Sequence, residues 1–268
     1  MIERNFVVTT GMTASPDTVS QAEAVATELG VSFVRRRGIG ISRILAESGA
    51  EFVVVVQASR LLLHDGVTEY AYHPNMLLVR GLNVLRGWRD VYVDACEFRE
   101  GESVLDCTLG FGCEASLASL AVGETGRVVG LESEPALALL SRTGLRDFKL
   151  ETPVLKAAMG RIDVVCADYS VYLADAADYS FDVVCLDPFF DERISGSEHS
   201  VSPLARFGNP RPLDDNAVLR ARRVARRRVV VKHPRYTELP ESLVAVREAV
   251  IVGRKAQTAY SVFGSVAE

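Results

Sequence analysis

The sequence predicts an α/β fold in which a mostly parallel seven-stranded sheet ends in an antiparallel hairpin and follows a small N-terminal α/β domain. After residue 95, short apolar runs alternate with segments of helical length, as in parallel strands that are joined and covered by helices. Only residues 253–258 separate the last two runs, and so short a connection cannot make a parallel crossover. We therefore predict one domain at residues 1–95 and a second at residues 96–268.

The composition is that of an ordinary globular protein. Of the 268 residues, 48% are hydrophobic, yet no apolar run approaches the roughly 18–20 residues that span a bilayer. The polar N-terminus does not resemble a secretory signal, so we expect a cytoplasmic protein without a membrane partner. The net charge of −5 restricts nucleic-acid binding to local basic patches. Because the cysteines form no CxxC pair, we expect no metal site.

The N-terminal domain combines short strands with helices. Ser15 and Pro16 predict the start of a helix that ends at Gly30. Asn75 is expected to cap a helix that runs through Leu85. Strands are predicted at residues 6–10, 31–34, 52–56, 61–64 and 69–72, with a hairpin turn at 65–66 and a further helix at 41–48.

The second domain continues with strands and helices in alternation. Its strands are predicted at residues 103–107, 127–131, 162–167, 181–186, 228–232, 249–252 and 259–263. Helices are predicted between most of them, including residues 114–122, 134–143 and 215–227. In an open α/β sheet, ligands bind outside the carboxyl ends of the strands. The residues that end these apolar runs are therefore the candidate site.

A turn that contains two glycines follows the first of these strands. Asp106 ends the apolar run, Thr108 follows it, and Gly110 and Gly112 precede the next helix. This pattern lets the backbone approach a bound nucleotide closely, because glycine has no Cβ. A glycine pair after a strand also occurs in simple tight turns, so the run alone does not decide the function.

Acidic residues end the next two strands. Glu132, which Ser133 follows, can accept hydrogen bonds from both ribose hydroxyls of a nucleotide. Asp168 can accept one from an adenine amino group, and Tyr169 can pack on the ring. Each carboxylate could instead cap loop N–H groups. The combination of acidic residues at successive strand ends with the glycine turn favours a nucleotide cofactor.

The tetrapeptide Asp187-Pro188-Phe189-Phe190 ends the fourth strand, and we expect it beside the glycine turn. These four residues are the candidate catalytic residues. The Asp187 carboxylate and the Pro188 carbonyl can hold the two hydrogens of an exocyclic amine, and Phe190, with Phe189, offers a face for a flipped base. Catalysis would then come from positioning and electrostatics. The alternative is an Asp-Pro turn followed by two core phenylalanines.

This series of motifs resembles class I S-adenosylmethionine (SAM) methyltransferases, whose fold is Rossmann-like. More specifically, the sequence is similar to the predicted ribosomal RNA methyltransferases related to RsmJ, which methylates guanine N2 in small-subunit rRNA. The similarity is carried by residues 105–110, 128–132, 181–184, 187–190, 73–76 and 223–232. Amino methyltransferases more often carry Asn/Asp-Pro-Pro-Tyr/Phe, from which this chain departs at Phe189.

The resemblance implies a function, a cofactor and a partner. The implied enzyme is a SAM-dependent methyltransferase that methylates an exocyclic amine of guanine in small-subunit rRNA. SAM is the implied cofactor, with Glu132 on the ribose, Asp168 near the adenine and Asp187 at the target amine. The implied partner is rRNA or the small ribosomal subunit.

Basic and polar residues outside these motifs are candidates for RNA contacts. Lys232 and Arg235 follow a strand at a carboxyl edge, and His73 and Asn75 are candidates in the cleft between the domains, although a helix cap also explains the last pair. Further arginines stand at residues 35–37 and at 220, 222, 223 and 226–228; a solvated helix face is the alternative for the second group. The long polar stretch 191–214 is expected to gate the substrate.

Three other functions fit parts of the pattern. A methyltransferase for a small molecule or a protein agrees with the net negative charge. Residues 110–115 fit a loose G-x-G-x-x-A, which an NAD(P)-dependent oxidoreductase would use, although the Asp-Pro-Phe-Phe motif has no role in hydride transfer. A non-catalytic RNA-binding or ribosome assembly factor could keep the same fold, although the retained Asp187 and glycine turn argue against such a loss of activity.

Overall fold

The computed structural model describes residues 4–188, 206–209, 211, 213, 215–237, 239–253 and 256–266, and it confirms the predicted fold class. The described residues form a four-stranded N-terminal sheet and a seven-stranded sheet. Within these ranges, no helix is both long and apolar enough to cross a membrane.

The N-terminal sheet has the strand order β1-β2-β3-β4. β1 and β2 are parallel, and the other neighbours are antiparallel. The strands are β1 (Phe6–Thr10), β2 (Phe52–Val56), β3 (Leu61–His64) and β4 (Glu69–Ala71), and helices α1 (Pro16–Leu29) and α2 (Ile41–Ser48) connect β1 to β2. Valines make up most of β2, whose five residues are all buried, as expected for β-branched side chains in a covered strand.

Two predictions for the first helix region have opposite outcomes. The start and end of α1 are confirmed, because the Ser15 side chain accepts a hydrogen bond from the first turn and Gly30 ends the helix in a left-handed conformation. The predicted strand at residues 31–34 is wrong. Only Phe33 pairs there, in an isolated bridge with Val8, and the chain then turns through Arg37 at a φ of 45°.

The prediction that Asn75 caps a helix is also wrong. Helix α3 (Leu77–Leu85) begins after Met76 and has no side-chain cap. Asn75 has a φ of 49°, and its backbone N–H donates a hydrogen bond to Nδ1 of His73 at 3.0 Å. Residues 73–75 therefore form a turn with its own hydrogen bond, and this turn ends before the helix begins. A short helix, α4 (Val91–Cys96), follows α3.

The seven-stranded sheet has the order β10-β11-β9-β8-β5-β6-β7. β11 is antiparallel to both of its neighbours, which confirms the predicted hairpin, and the remaining pairs are parallel. The strands are β5 (Ser103–Asp106), β6 (Arg127–Glu132), β7 (Ile162–Cys166), β8 (Phe181–Leu186), β9 (Ala225–Pro234), β10 (Ala249–Val252) and β11 (Thr258–Gly264). The helices among them are α5 (Cys113–Val122), α6 (Pro135–Asp147), α7 (Pro153–Gly160), α8 (Tyr169–Asp175), α9 (Asp215–Val224) and α10 (Glu241–Val244).

The strand register brings four strand ends to one edge of this sheet. Asp106 of β5 lies opposite Gly130 of β6 and Cys185 of β8, while Glu132 of β6 lies opposite Cys166 of β7. Because the four strands are parallel, the loops that follow them meet at the same carboxyl edge. That edge holds the candidate site.

Tyr72 connects the N-terminal sheet to the glycine turn. Its ring packs against Phe111 and Phe148, and its hydroxyl donates a hydrogen bond to the Phe111 carbonyl at 3.0 Å. The ring lies against Gly144 of α6, where an added Cβ would come within 1.9 Å of it. The missing side chain at Gly144 therefore makes the close approach of Tyr72 possible.

We expect the substitution Gly144→Ala to lower the free energy of unfolding by about 1–3 kcal/mol, the usual cost of overpacking a core. The better helix propensity of alanine, worth about 1 kcal/mol, offsets only part of this cost. Urea unfolding measures the difference. Gly160→Ala is the matched control, because an added Cβ at Gly160 meets no atom within 4 Å. Equal stability of the two variants would contradict the expected clash.

Candidate active site

The turn after β5 requires residues without side chains. Gly110 and Gly112 have φ values of 51° and 72°, a region that favours glycine. A Cβ at Gly112 would also lie 3.2 Å from the side chains of Leu109 and Leu145. The Asp106 carboxylate accepts a hydrogen bond from the backbone N–H two residues later at 3.0 Å, which fixes the start of the turn.

A cavity of about 450 Å³ opens at this edge of the sheet. Asp187, Pro188 and Asn75 line it together with every predicted cofactor-binding residue. Those residues are Asp106, Thr108, Gly110, Gly112, Glu132, Ser133, Asp168 and Tyr169. The structure thus gathers the ends of β5, β6, β7 and β8 around one space.

Burial controls the ionisation of two acids in this cavity. Asp106 and Glu132 are both buried, and burial raises the pKa of each to about 7. Glu132 accepts a hydrogen bond from the Glu134 N–H at 3.0 Å, which favours the charged form and opposes the effect of burial. Near neutral pH, both carboxyls are therefore poised between their charged and neutral forms.

Asp168 combines a structural contact with a place in the cavity. One carboxylate oxygen accepts a hydrogen bond from the Ser170 N–H at 2.8 Å and so caps α8. The other oxygen lies 3.7 Å from the Arg211 guanidinium. Helix capping therefore accounts for one of the two carboxylate oxygens, and the second oxygen faces an arginine of the cavity wall.

Asp187 is held from two sides. Its backbone N–H donates a hydrogen bond to the Thr108 hydroxyl at 2.7 Å, so the end of β8 lies beside the glycine turn, as expected. Its carboxylate accepts a hydrogen bond from Lys232 Nζ at 2.6 Å. Burial raises the pKa of Asp187, and the ammonium of Lys232 acts in the opposite direction. Phe189 and Phe190 lie outside the described residues.

Lys232 belongs to a chain of ion pairs that the sequence analysis missed. Its ammonium also lies 3.3 Å from Glu114, which the Arg80 guanidinium approaches to 2.6 Å. Arg80 in turn donates two hydrogen bonds to Asp90, at 2.8 and 3.0 Å. Burial opposes ionisation of Glu114, yet Lys232 and Arg80 together lower its pKa to about 2. No local pattern predicts this contact, because Arg80 and Glu114 belong to different predicted domains.

The predicted substrate-binding residues are not all at the cavity. Asn75 lines the cavity, and Lys232 lies beside the cavity, where it contacts Asp187. The His73 ring packs edge-on against a phenylalanine ring, with centroids 6.0 Å apart. Arg235 is exposed, and its guanidinium lies 5.7 Å from the centre of the Tyr236 ring. Among the described residues, those lining the cavity do not include His73 or Arg235.

Most arginines of α9 and β9 lie away from the cavity. Arg226 contacts Asp182 at 3.2 Å and Arg227 contacts Glu102 at 2.8 Å, both at the amino edge of the sheet. The others are engaged as well: Arg222 with the Gly264 carbonyl, Arg223 with Asp178 and three carbonyls of the 173–176 segment, Arg228 with Glu97, and Arg220 with the Ser170 carbonyl. These side chains connect segments of the chain, through carboxylates and backbone carbonyls, rather than lining the cavity.

The cavity wall also includes part of the stretch that was predicted to gate the substrate. Phe207 is 2% exposed and packs between Phe52 and Tyr70 of the N-terminal sheet, with ring centroids 4.9 and 5.0 Å away. The residues that follow it, Gly208, Asn209 and Arg211, line the cavity. A single phenylalanine in a polar stretch has no periodicity, so no sequence pattern indicates where it packs.

The parallel sheet, the glycine turn and the acidic strand ends around one cavity define the class of SAM-dependent methyltransferases. Comparison with known proteins agrees with this class. Residues 82–255 match the family described as "Putative SAM-dependent methyltransferase", and the chain belongs to that family.

Two known proteins are similar to this chain over most of its length. The uncharacterized protein YpiP of Bacillus subtilis (strain 168) is 33% identical over 226 residues, which cover 84% of this chain and 88% of that protein. The SAM-dependent methyltransferase NGO1261 from Neisseria gonorrhoeae has a TM-score of 0.62 at 16% identity, with 98% of this chain and 97% of that chain covered, a likeness that concerns the fold. Membership of the matched family makes the protein a methyltransferase with SAM as its cofactor, rather than an oxidoreductase.

Proposed function

We propose that this enzyme methylates an exocyclic amine of guanine in small-subunit rRNA, as the similarity to the RsmJ-related methyltransferases implies. The main support is the position of Asp187 and Pro188, which line the cavity and are connected to the glycine turn through Thr108. A carboxylate and a backbone carbonyl are two acceptors, and an exocyclic amine offers two N–H donors.

The cavity has the features that SAM requires. Its volume lies within the usual range of small-molecule sites, and both glycines of the turn line it. We assign the ribose hydroxyls to Glu132 with Ser133 beside it, and the adenine amino group to Asp168 with Tyr169 against the ring. The remaining wall for the cofactor is formed by Asp106, Thr108, Gly110 and Gly112.

In the proposed reaction, the residues of this chain hold and orient the methyl acceptor. Bound SAM supplies an electrophilic methyl group. The Asp187 carboxylate and the Pro188 carbonyl accept the two amine hydrogens and so favour a pyramidal nitrogen, whose lone pair is no longer delocalised into the base. The carboxylate also stabilises the positive charge that develops on the nitrogen, which afterwards loses one proton to solvent. Phe189 and Phe190 remain predicted stacking partners of the base.

We assign recognition of the RNA to the N-terminal domain, residues 1–95. Asn75 lines the cavity from this side, with His73 adjacent to it. Arg35 and Arg37 are exposed and can contact phosphates. A ribosomal substrate implies a cytoplasmic enzyme.

One observation favours a small molecule or a protein as a second candidate acceptor. The arginines of α9 and β9, which could have gripped RNA, are engaged in contacts within the protein. With a net charge of −5, these contacts leave fewer cations for a polyanionic substrate.

The test is methyl transfer from labelled SAM to purified small ribosomal subunits from cells that lack this enzyme. We expect label in a methylguanosine of the RNA digest. Asp187→Ala should reduce the transfer at least about 100-fold while SAM affinity stays within a few-fold, because Asp187 acts on the acceptor. Asp163→Ala removes an exposed carboxylate and is the matched control.

Two outcomes would count against the proposal. If the wild-type enzyme binds SAM but labels no RNA, the acceptor is a small molecule or a protein. If Asp187→Ala is as active as Asp163→Ala, Asp187 has no part in holding the acceptor.

A further inference from the structure

We propose that Lys232 is a positioning residue that keeps the Asp187 carboxylate ionised and aimed at the acceptor amine, with Glu114 as its second anchor. This inference rests on the proposed role of Asp187. It replaces the expectation that Lys232 binds the substrate directly.

The contacts of Lys232 place its charge inside the protein. Its ammonium donates hydrogen bonds to Asp187 at 2.6 Å and to Glu114 at 3.3 Å, and its side chain is 23% exposed. Asp187 and Glu114 occupy two of the three ammonium donors, which leaves one donor for any other partner. The ammonium also cannot act as a general base near neutral pH, because its two carboxylate partners raise the pKa of Lys232 even though burial opposes them.

The arrangement gives Asp187 a fixed orientation. One oxygen of the carboxylate, Oδ2, is held by Lys232, and the backbone N–H of the same residue is held by Thr108. Lys232 is itself held by Oε1 of Glu114, and the same oxygen accepts a hydrogen bond from Arg80. A carboxylate that is fixed at both the backbone and one oxygen presents its other oxygen in a single direction, as a pre-organised acceptor requires.

The charge of Lys232 also offsets the desolvation of Asp187. The ionisable groups that face Asp187 come from six elements and include two cations and several acids. They are Lys232 of β9, Arg80 of α3, Glu114 of α5, Asp106 of β5 and, lining the small space below Asp187, Tyr92 of α4 and Tyr260 of β11. Without Lys232, only Arg80 among these groups would favour the charged carboxylate.

The proposal makes predictions of opposite sign for two substitutions. Lys232→Met removes the neighbouring cation, so the pKa of Asp187 should rise by about 1–3 pH units, the usual effect of one close opposite charge. Glu114→Gln removes a neighbouring anion and leaves Asp187 as the only carboxylate bound to Lys232, so the pKa of Asp187 should fall. Lys232→Arg keeps the cation and should stay close to the wild type.

The first measurement needs no acceptor. Carboxyl ¹³C NMR of the SAM-loaded protein is recorded between pH 3 and 9, with the Asp187 resonance assigned by its absence in Asp187→Asn. Lys149→Met removes an exposed lysine and is the matched control. An unchanged titration of Asp187 in Lys232→Met would overturn the proposal. If Lys232→Met does not fold, Glu114→Gln is the deciding variant. An unchanged or raised pKa of Asp187 in that variant would also overturn the proposal.

The second measurement uses the acceptor that the methyl-transfer assay identifies. In Lys232→Met, the acidic limb of the pH profile of kcat/KM should move to higher pH by the shift that NMR measures, while SAM affinity stays within a few-fold. A loss of activity with an unmoved acidic limb would make Lys232 a merely structural residue. Because the NMR result does not depend on RNA, failure of the rRNA proposal leaves this inference testable.

Discussion

Replacing Glu132 by glutamine is expected to stabilise the cofactor-free protein at pH 8 and to weaken SAM binding at the same pH. Burial raises the pKa of Glu132 from 4.5 to about 7 in the folded protein. The folded state therefore binds a proton more tightly than the unfolded state, and wild-type stability falls as the pH rises from about 4.5 to 7. At pH 8 the folded protein holds a buried charge, which glutamine of the same shape avoids. We expect a gain of roughly 1–3 kcal/mol.

The loss of SAM affinity has a separate cause. A hydrogen bond to a charged group contributes about 1.5–3 kcal/mol, so losing the carboxylate should raise the Kd for SAM about 10- to 100-fold. Urea unfolding at pH 5 and pH 8 and calorimetric titration with SAM measure the two effects. Glu151→Gln, an exposed position, is the control and should change neither. A SAM affinity equal to that of the wild type would remove Glu132 from the cofactor site.

Replacing Phe207 by alanine should lower the free energy of unfolding by about 3–5 kcal/mol, the usual result of deleting a fully buried ring. Phe207 is 2% exposed and packs on Phe52 and Tyr70, so its removal leaves a cavity in the N-terminal sheet. The residues after Phe207 line the cavity that we propose for SAM, and SAM affinity should fall together with stability.

Thermal and urea unfolding, with and without SAM, measure this prediction. Phe207→Leu is the matched variant, because leucine retains most of the buried apolar volume and should lose less stability. If Phe207→Ala lost stability but bound SAM as the wild type does, the anchored segment would have no influence on the cofactor cavity.

The sequence predicted those parts of the fold and site that depend on local patterns. Apolar runs identified the strands, and the residues that end those runs proved to line one cavity, from Asp106 to Asp187. This worked because parallel strands place all their carboxyl ends at one edge, whatever their order. The short 253–258 connection identified the antiparallel hairpin for an equally local reason.

The omissions concern contacts between distant segments. Arg80 meets Glu114, and Phe207 meets Tyr70, through the packing of separate elements, so no periodicity or spacing indicates them. The expected cap at Asn75 is a local error, because Asn75 belongs to the preceding turn, at a φ of 49°, and the helix begins only after Met76. Local propensity is only a weak guide where tertiary contacts compete with it.

The insertion of Phe207 into the N-terminal sheet has a consequence for synthesis. Domains usually complete their folding in the order in which the ribosome releases them. Here the first sheet of the chain lacks a buried aromatic side chain until the segment after β8 has left the exit tunnel. In the nascent chain, Phe52 and Tyr70 therefore stay incompletely covered until Phe207 has been synthesised, late in translation.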